Sequence, residues 1–437
     1  MTVPLRHFIV ALGFLLAGAV LGVGVVTGWI AGLSRLAHVH LLLVGWLCIT
    51  IMGAMTQFVP VWSGVELHSR RLASAQLWLV TLGLAGFVVS LLTVWLAGLA
   101  VFGAVMLCGF WTFVYNVGRT LSRVDGLDIT ERHFALALAY VVLLTPLGLL
   151  LAIDFTVPLF DALPVTRTGI VGAHATLAVF GAILTTIVGA LYQLATMFTQ
   201  TELDSVDRQL QRLEVVGYPV GVLALAGGRL LTLDPLARVG GILVVISMLA
   251  FSIILGRTLS RTSVEWTPML SRYVVVVFAI AGWALLTIPV WLWNATDPAT
   301  RFGAPGATHL LFLGGIGFVV LGTLYHIVPF IIWVHRYSDL LGFEDVPMID
   351  DLYDDRLAAI DCTLVVGGTI LLVGTQLFDR PEYVSAIGGI VVSAGVLVFA
   401  TNMLLVIREH SPQSLPAILL SRAGSGRSDE TSEEKPA

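Results

Sequence analysis

The chain has 437 residues, is 57% hydrophobic and only 12% charged, and has a mean hydropathy of +0.94. A soluble domain of this length and composition would expose large apolar patches, so a bilayer is its natural solvent. The formal net charge is -5, with one lysine, Lys435, beside 22 arginines and no basic cluster, which excludes a nucleic-acid-binding role.

A span needs about 20 apolar residues to cross roughly 30 Å of hydrocarbon. Twelve stretches poor in charge qualify, near 7–32, 38–62, 74–96, 98–118, 133–153, 168–199, 214–231, 239–256, 273–294, 305–333, 358–378 and 383–407. The first, between Arg6 and Arg35, is too long for a signal-peptide core and reads as a retained membrane helix. The seventh is the weakest: it is short, bounded by Glu214 and Arg229, and carries Pro219 and the pair Gly227 and Gly228. The N-terminus, the even-numbered loops and the C-terminus hold 17 of the 23 Lys and Arg residues. Positive charge gathers on the cytoplasmic face, so both termini are expected to be cytoplasmic in a multi-pass protein of the cell membrane. Cys48, Cys108 and Cys362 lie in apolar runs without CxxC or zinc spacing and read as buried apolar thiols. The acidic loop EDVPMIDDLYDD (344–355) reads as solvated, and is a candidate contact for a partner subunit. The tail 411–437 is Ser/Glu-rich towards its end and is expected to be a disordered cytoplasmic segment.

Self-comparison shows three copies of one unit. The second, sixth and tenth spans read HVHLLLVGWLCITIMGAMTQFVP from His38, HATLAVFGAILTTIVGALYQLAT from His174 and ATHLLFLGGIGFVVLGTLYHIVP from Ala307. Gly45, Gly181 and Gly314 align without a gap, as do Gly53, Gly189 and Gly322, then Gln57, Gln193 and His326; Pro60 and Pro329 align as well. GRTLSR closes the fourth span at Gly118 and the eighth at Gly256. The expected fold is an all-α polytopic membrane protein of twelve transmembrane helices, arranged as three four-helix repeats with pseudo-three-fold symmetry. The repeats cover 1–125, 126–262 and 263–410.

The equivalent helices two, six and ten carry His38 and His40, His174, and His309 with His326. Histidine inside a membrane is costly and faces a partner, a cavity or a metal, and neutral imidazole ligates haem iron and copper. The competing role for any one of them is a hydrogen bond to a helix carbonyl. His326 is assigned to polar packing beside Tyr325, and His335 to interfacial anchoring with Trp333. His7, His68, His133 and His410 fall at ends or in loops and read as solvated.

Helix two opens with histidine and closes in a pattern like MGA-x-x-x-x-VP from Met52 to Pro60, and helix ten runs from Ala307 to Pro329 with His309 near its start. In this the chain resembles subunit I of the haem-copper oxidases and, more closely, of the nitric oxide reductases. The run PVWSG from Pro60 to Gly64 adds a looser likeness to haem- and copper-containing membrane proteins of the nitric oxide response. The resemblance covers most of the chain as architecture and rests, as motif, on helices two and ten. It implies that His309 ligates a low-spin haem b, opposed by His38 or by its competitor His40. The family's high-spin haem ligand is replaced by Ala307, and the copper-binding His-His pair of helix seven has no match between Val215 and Leu231. Only His174 is left to suggest the copper site. The span interiors lack Lys and Glu, with Glu214 and Asp361 near helix starts, so proton pumping is not expected.

Residues two apart on an α-helix differ by about 200° in direction, so His38 and His40 cannot serve one iron but can face two clefts. The three-fold then pairs His38 with His309 and His40 with His174, the second pair holding a second haem or copper. The third cleft, where Thr176 meets Ala307, is expected to be empty. Arg35, Arg301 and Arg380 stand on the histidine side and are candidate partners for haem propionates, with loop solvation as their alternative. The expected function is a membrane redox protein, an oxidoreductase of the oxidase or nitric oxide reductase type if an enzyme, taking electrons from a quinol or small redox protein or handling O2 or NO. A copper-binding membrane protein or a transporter without haem are the alternatives.

Overall fold

A computed structural model describes residues 2–378 and 380–420. Among them are twelve helices long and apolar enough to cross a membrane, and no strand is formed. They are α1 (Thr2–Val26), α2 (Ser34–Ser63), α3 (Arg70–Leu92), α4 (Leu96–Leu121), α5 (Ile129–Asp154), α6 (Arg167–Thr199), α7 (Ser205–Leu230), α8 (Asp234–Ser260), α9 (Pro268–Trp293), α10 (Leu310–Arg336), α11 (Asp355–Leu377) and α12 (Glu382–His410). The chain is an all-α, multi-pass membrane protein.

The packing repeats three times. Within each unit the third and fourth helices form a tight antiparallel hairpin, α3 with α4, α7 with α8 and α11 with α12, and the first helix packs on the second. The fourth helix of each unit then packs on the first of the next: α4 on α5, α8 on α9 and, closing the ring, α12 on α1. This leaves α2, α6 and α10 innermost. In α6 and α10, 83% of the most apolar window is buried, against 33% in α1, α4, α5 and α11, which face lipid.

Helix ends follow local chemistry. Ser69, Thr166 and Thr267 cap α3, α6 and α9, and Asp128 with Glu131 and Asp204 with Asp207 form capping boxes at α5 and α7. The inner helices share a feature that no local sequence signal announces. Each contains an eight-residue π-helical stretch at the same place in the repeat: Leu41–Cys48, Leu177–Leu184 and Leu310–Gly317. Each begins just after the histidine-bearing turn, and π turns inside α-helices concentrate at functional sites.

Several sequence expectations need correction. α7 starts at Ser205, not near 214, because the polar residues of its first turns are neutralised: Asp207 pairs with both Arg257 and Arg261 of the adjoining segment. Glu214 therefore lies well inside α7, and both it and Asp361 are fully buried. The tail is ordered as far as residue 420: Leu415–Leu420 forms a short helix α13 against α1, with Ile418 buried and its carbonyl accepting from Arg6 Nε at 2.8 Å. The rest of the tail lies outside the described residues. None of the three cysteines is buried; Cys108 is exposed and Cys48 and Cys362 are partly so. The acidic loop is anchored, not wholly solvated, for Trp333 Nε1 donates to the Pro347 carbonyl at 2.7 Å and Leu352 and Tyr353 are buried.

Candidate functional site

The inner helices bring the four histidines into two pairs. His38 of α2 and His309, just before α10, lie within electrostatic range of each other, as do His40 of α2 and His174 of α6. All four rings are partly exposed, although they lie within the helix bundle. Their orientation is fixed by backbone. His38 Nδ1 lies 2.8 Å from the Gly18 carbonyl of α1, and His174 Nδ1 3.0 Å from the Leu144 carbonyl of α5, the equivalent helix. A carbonyl only accepts, so Nδ1 carries the proton in each and Nε2 keeps its lone pair for a ligand. His40 is set the same way by the Leu36 carbonyl at 2.9 Å and rests against Phe87. His309 differs: its Nδ1 is buried without a hydrogen-bond partner, and the ring faces the Gln376 side chain.

Glycines make room for these rings. A Cβ on Gly22 would stand 2.6 Å from His38 Cε1, and one on Gly148 2.8 Å from His174 Cε1. The register is common to the units, since Phe14, Tyr140 and Ala279 fill the same space against Gly45, Gly181 and Gly314. By that register α9 places Trp283 and Thr287 where α1 and α5 place the accepting carbonyl residue and the glycine. The third cleft is thus filled rather than empty. Trp283 Nε1 donates to the Phe302 carbonyl at 2.7 Å, and Arg229 of α7 reaches in with a guanidinium only 3% exposed. Its Nη1 donates to Thr176 Oγ1 at 2.8 Å and to the Arg301 carbonyl at 2.9 Å, and its Nε to the Ala295 carbonyl at 3.0 Å. Trp291 stacks beneath it at 5.3 Å. Arg229 is thus a buried residue of the third cleft and not merely the boundary of the seventh span.

Of the three propionate candidates, Arg35 and Arg380 are exposed. Arg301 is partly buried, its Nε has no hydrogen-bond partner, and it stands within electrostatic range of Arg229. Burial pushes its guanidinium below the ordinary arginine value.

A second polar layer lies towards the face that carries both termini. His7, His133 and Arg272 pack against Gly53, Gly189 and Gly322. His7 and His133 are therefore buried, not solvated, because the aligned glycines admit them. In the second unit Glu214 accepts from Tyr192 OH at 2.9 Å and meets His133 Nε2 at 3.3 Å. In the third unit Asp361 binds Arg272 and Tyr325, which also accepts from Asn402 at 3.1 Å. In the first unit Gln76 is fully buried with neither amide atom hydrogen-bonded, and His7 Nε2 is likewise without a partner. His326 packs between Phe198 and Phe330, while His335 turns its Nδ1 to the Ile331 carbonyl. His68 and His410 remain partly exposed, bonded to Arg123 and Tyr337.

No family model matches the chain, and no curated protein matches it. Among the described residues no group of three or more His, Cys, Asp or Glu is placed to hold a metal ion. The histidine sites are pairs. A pair of imidazoles suits an iron whose other four ligands come from a porphyrin, whereas bare copper or zinc calls on three or four protein ligands; a free Nε2 is set by backbone bonding at His38, His40 and His174, and not at His309.

Proposed function

We propose that the chain is a haem-binding redox protein of the membrane, a divergent member of the haem-copper oxidase superfamily. In this reading one haem b lies between His38 and His309 and a second between His40 and His174. The observation that carries it is the pairing of imidazoles across two clefts with Nδ1 tied to backbone in three of the four. That second bond sets the tautomer and ring plane that axial ligation requires. The closed ring of three four-helix units, with histidines on its second, sixth and tenth helices, supports the superfamily assignment.

Haem bound there would supply a one-electron iron couple, held by His38 with His309 and by His40 with His174. The backbone bonds of His38, His40 and His174 fix how their rings are turned. His38 and His40 stand on one turn of α2 and so offer a short path between clefts. The electron donor in this reading is a quinol or a small redox protein, and the membrane is the cell membrane with both termini cytoplasmic, a reading that the arginine distribution supports. The test is the spectrum of the purified full chain: a Soret band, low-spin reduced-minus-oxidised bands and a haem-to-protein ratio near two are expected. Protein of full helicity that neither retains nor takes up haem overturns the reading.

A further inference from the structure

On the pseudo-three-fold axis, on the terminal side of the π-helical stretches, the inner helices line a partly open cavity of about 80 Å³. Its lining obeys the repeat: Thr50, Thr186 and Val319 form one ring, and Ala54, Ala190 and Thr323 another, one residue from each inner helix. Trp62 and Phe134, nearly parallel with centroids 6.1 Å apart, line its end nearest the terminal face. No charged residue lines it. Thr186 donates to the Ala182 carbonyl at 2.8 Å and Thr323 shares a hydrogen bond with Tyr273 at 2.7 Å, so Thr50 Oγ1 is the one threonine hydroxyl of the lining that is buried without a partner.

The volume is several times the roughly 10–15 Å³ that one water needs on this measure, but a buried water also needs two to four polar partners. One free hydroxyl does not hold water, and apolar cavities of this kind stay dry and take up apolar guests. Charged or strongly polar ligands would forfeit their hydration without replacement. We infer that the axial cavity is a binding site for a small, neutral, apolar molecule of the class of dissolved diatomic gases, with Thr50 offering its single hydrogen bond. The bilayer concentrates such molecules, and the cavity begins at Thr50, ten residues along α2 from His40. It is thus a store for gas beside the histidine clefts. The inference does not rest on haem binding, for the cavity is lined by α2, α6 and α10 with Phe134 of α5.

Xenon is the probe, read by 129Xe NMR on the full chain in lipid nanodiscs, with and without added haem. Saturable binding is expected in both. Ala190→Phe, which fills the cavity, and Ala54→Leu, which narrows it from another helix, should each weaken xenon binding at least about tenfold. The Soret band and thermal midpoint should stay as in the parent. Trp62→Ala should speed xenon exchange and leave its capacity unchanged. Non-saturable xenon shifts in the parent, or saturable binding unmoved in both filling variants, overturn the inference, and so does a lipid chain found in the cavity that xenon cannot displace. Loss of haem with xenon binding intact would count against the proposed function alone.

Discussion

The three clefts between neighbouring inner helices share one backbone frame and differ in what fills them. Two hold a pair of imidazoles, each with a ring seated against a glycine, Gly22 or Gly148. The third holds Arg229, with Trp283 and Thr287 where the others have open backbone and glycine. The arginine meets no carboxylate among the described residues; carbonyls of the segment before α10 satisfy it, so it ties that segment to α6 and α7. The lesson is that the fold provides three equivalent places, and side-chain volume at two positions of the first helix decides whether one can be a site. The same holds at the opposite face, where Glu214 and Asp361 anchor their units and Gln76 of the first unit has neither amide atom hydrogen-bonded.

The comparison breaks most directly if a histidine cleft behaves like the arginine cleft. His309→Ala should abolish most haem binding in its cleft, since a bis-imidazole site loses coordination and ring orientation together. His335→Ala, at the far end of α10, should leave the haem content unchanged. Haem content and a low-spin spectrum unaltered in His309→Ala would remove that cleft from the proposal.

Conversely, Arg229→Leu should leave the spectrum intact but lower stability by about 3 kcal/mol, the order expected when a buried charged donor leaves several carbonyls unpaired. Thermal unfolding in detergent measures it. A Leu variant as stable as the parent would show that Arg229 fills space and nothing more.

Much of the architecture is legible in the sequence itself. The twelve spans follow from hydrophobic runs, and the aligned glycines fix the equivalence of α2, α6 and α10. The two-residue offset of His38 and His40 is enough to send them to different clefts. What stayed hidden has physical causes. The acidic and basic residues at the start of α7 imitate a loop until Arg257 and Arg261 neutralise Asp207. Arg229 follows two glycines and resembles a span boundary, because nothing local reveals the carbonyls 66 and 72 residues away that it satisfies. The π-helical stretches depend on a shift from i+4 to i+5 bonding, which the same apolar residues permit in either form. His7 and His133 were recoverable, for Gly53 and Gly189 mark the gaps they enter, but only with α1 and α5 placed beside them.

A finer test asks whether the glycines, and not merely the histidines, set the sites apart. Gly148→Ala would put a methyl group 2.8 Å from the His174 ring, nearer than real contacts allow, so the ring must turn and its bond to Leu144 lengthen. Haem occupancy of the His40 and His174 cleft should fall several-fold while the His38 and His309 cleft keeps its spectrum. Gly227→Ala, which meets nothing, is the control. Equal occupancy in both variants would mean that the glycine is not needed to seat the ring.

The smallest effect concerns charge. Removing a cation near haem favours the oxidised, more positive iron and lowers the midpoint potential. How far depends on screening. Arg380 and Arg35 are exposed and bathed in solvent, so Arg380→Gln and Arg35→Gln should move the potential little. Arg301 is partly buried, its Nε is unpartnered, and it precedes the His309 turn. For Arg301→Gln we expect a fall on the order of 20–40 mV, the one-electron equivalent of the roughly 0.5–1 kcal/mol that such a half-screened charge contributes. Spectroelectrochemical titration resolves this for each cleft if the two haems differ in potential. A larger fall with Arg380→Gln than with Arg301→Gln would put the propionates on the α11 side of the cleft. No shift in any of the three would leave these arginines to the loops and to the Arg229 cleft, where Arg301 already lends its carbonyl.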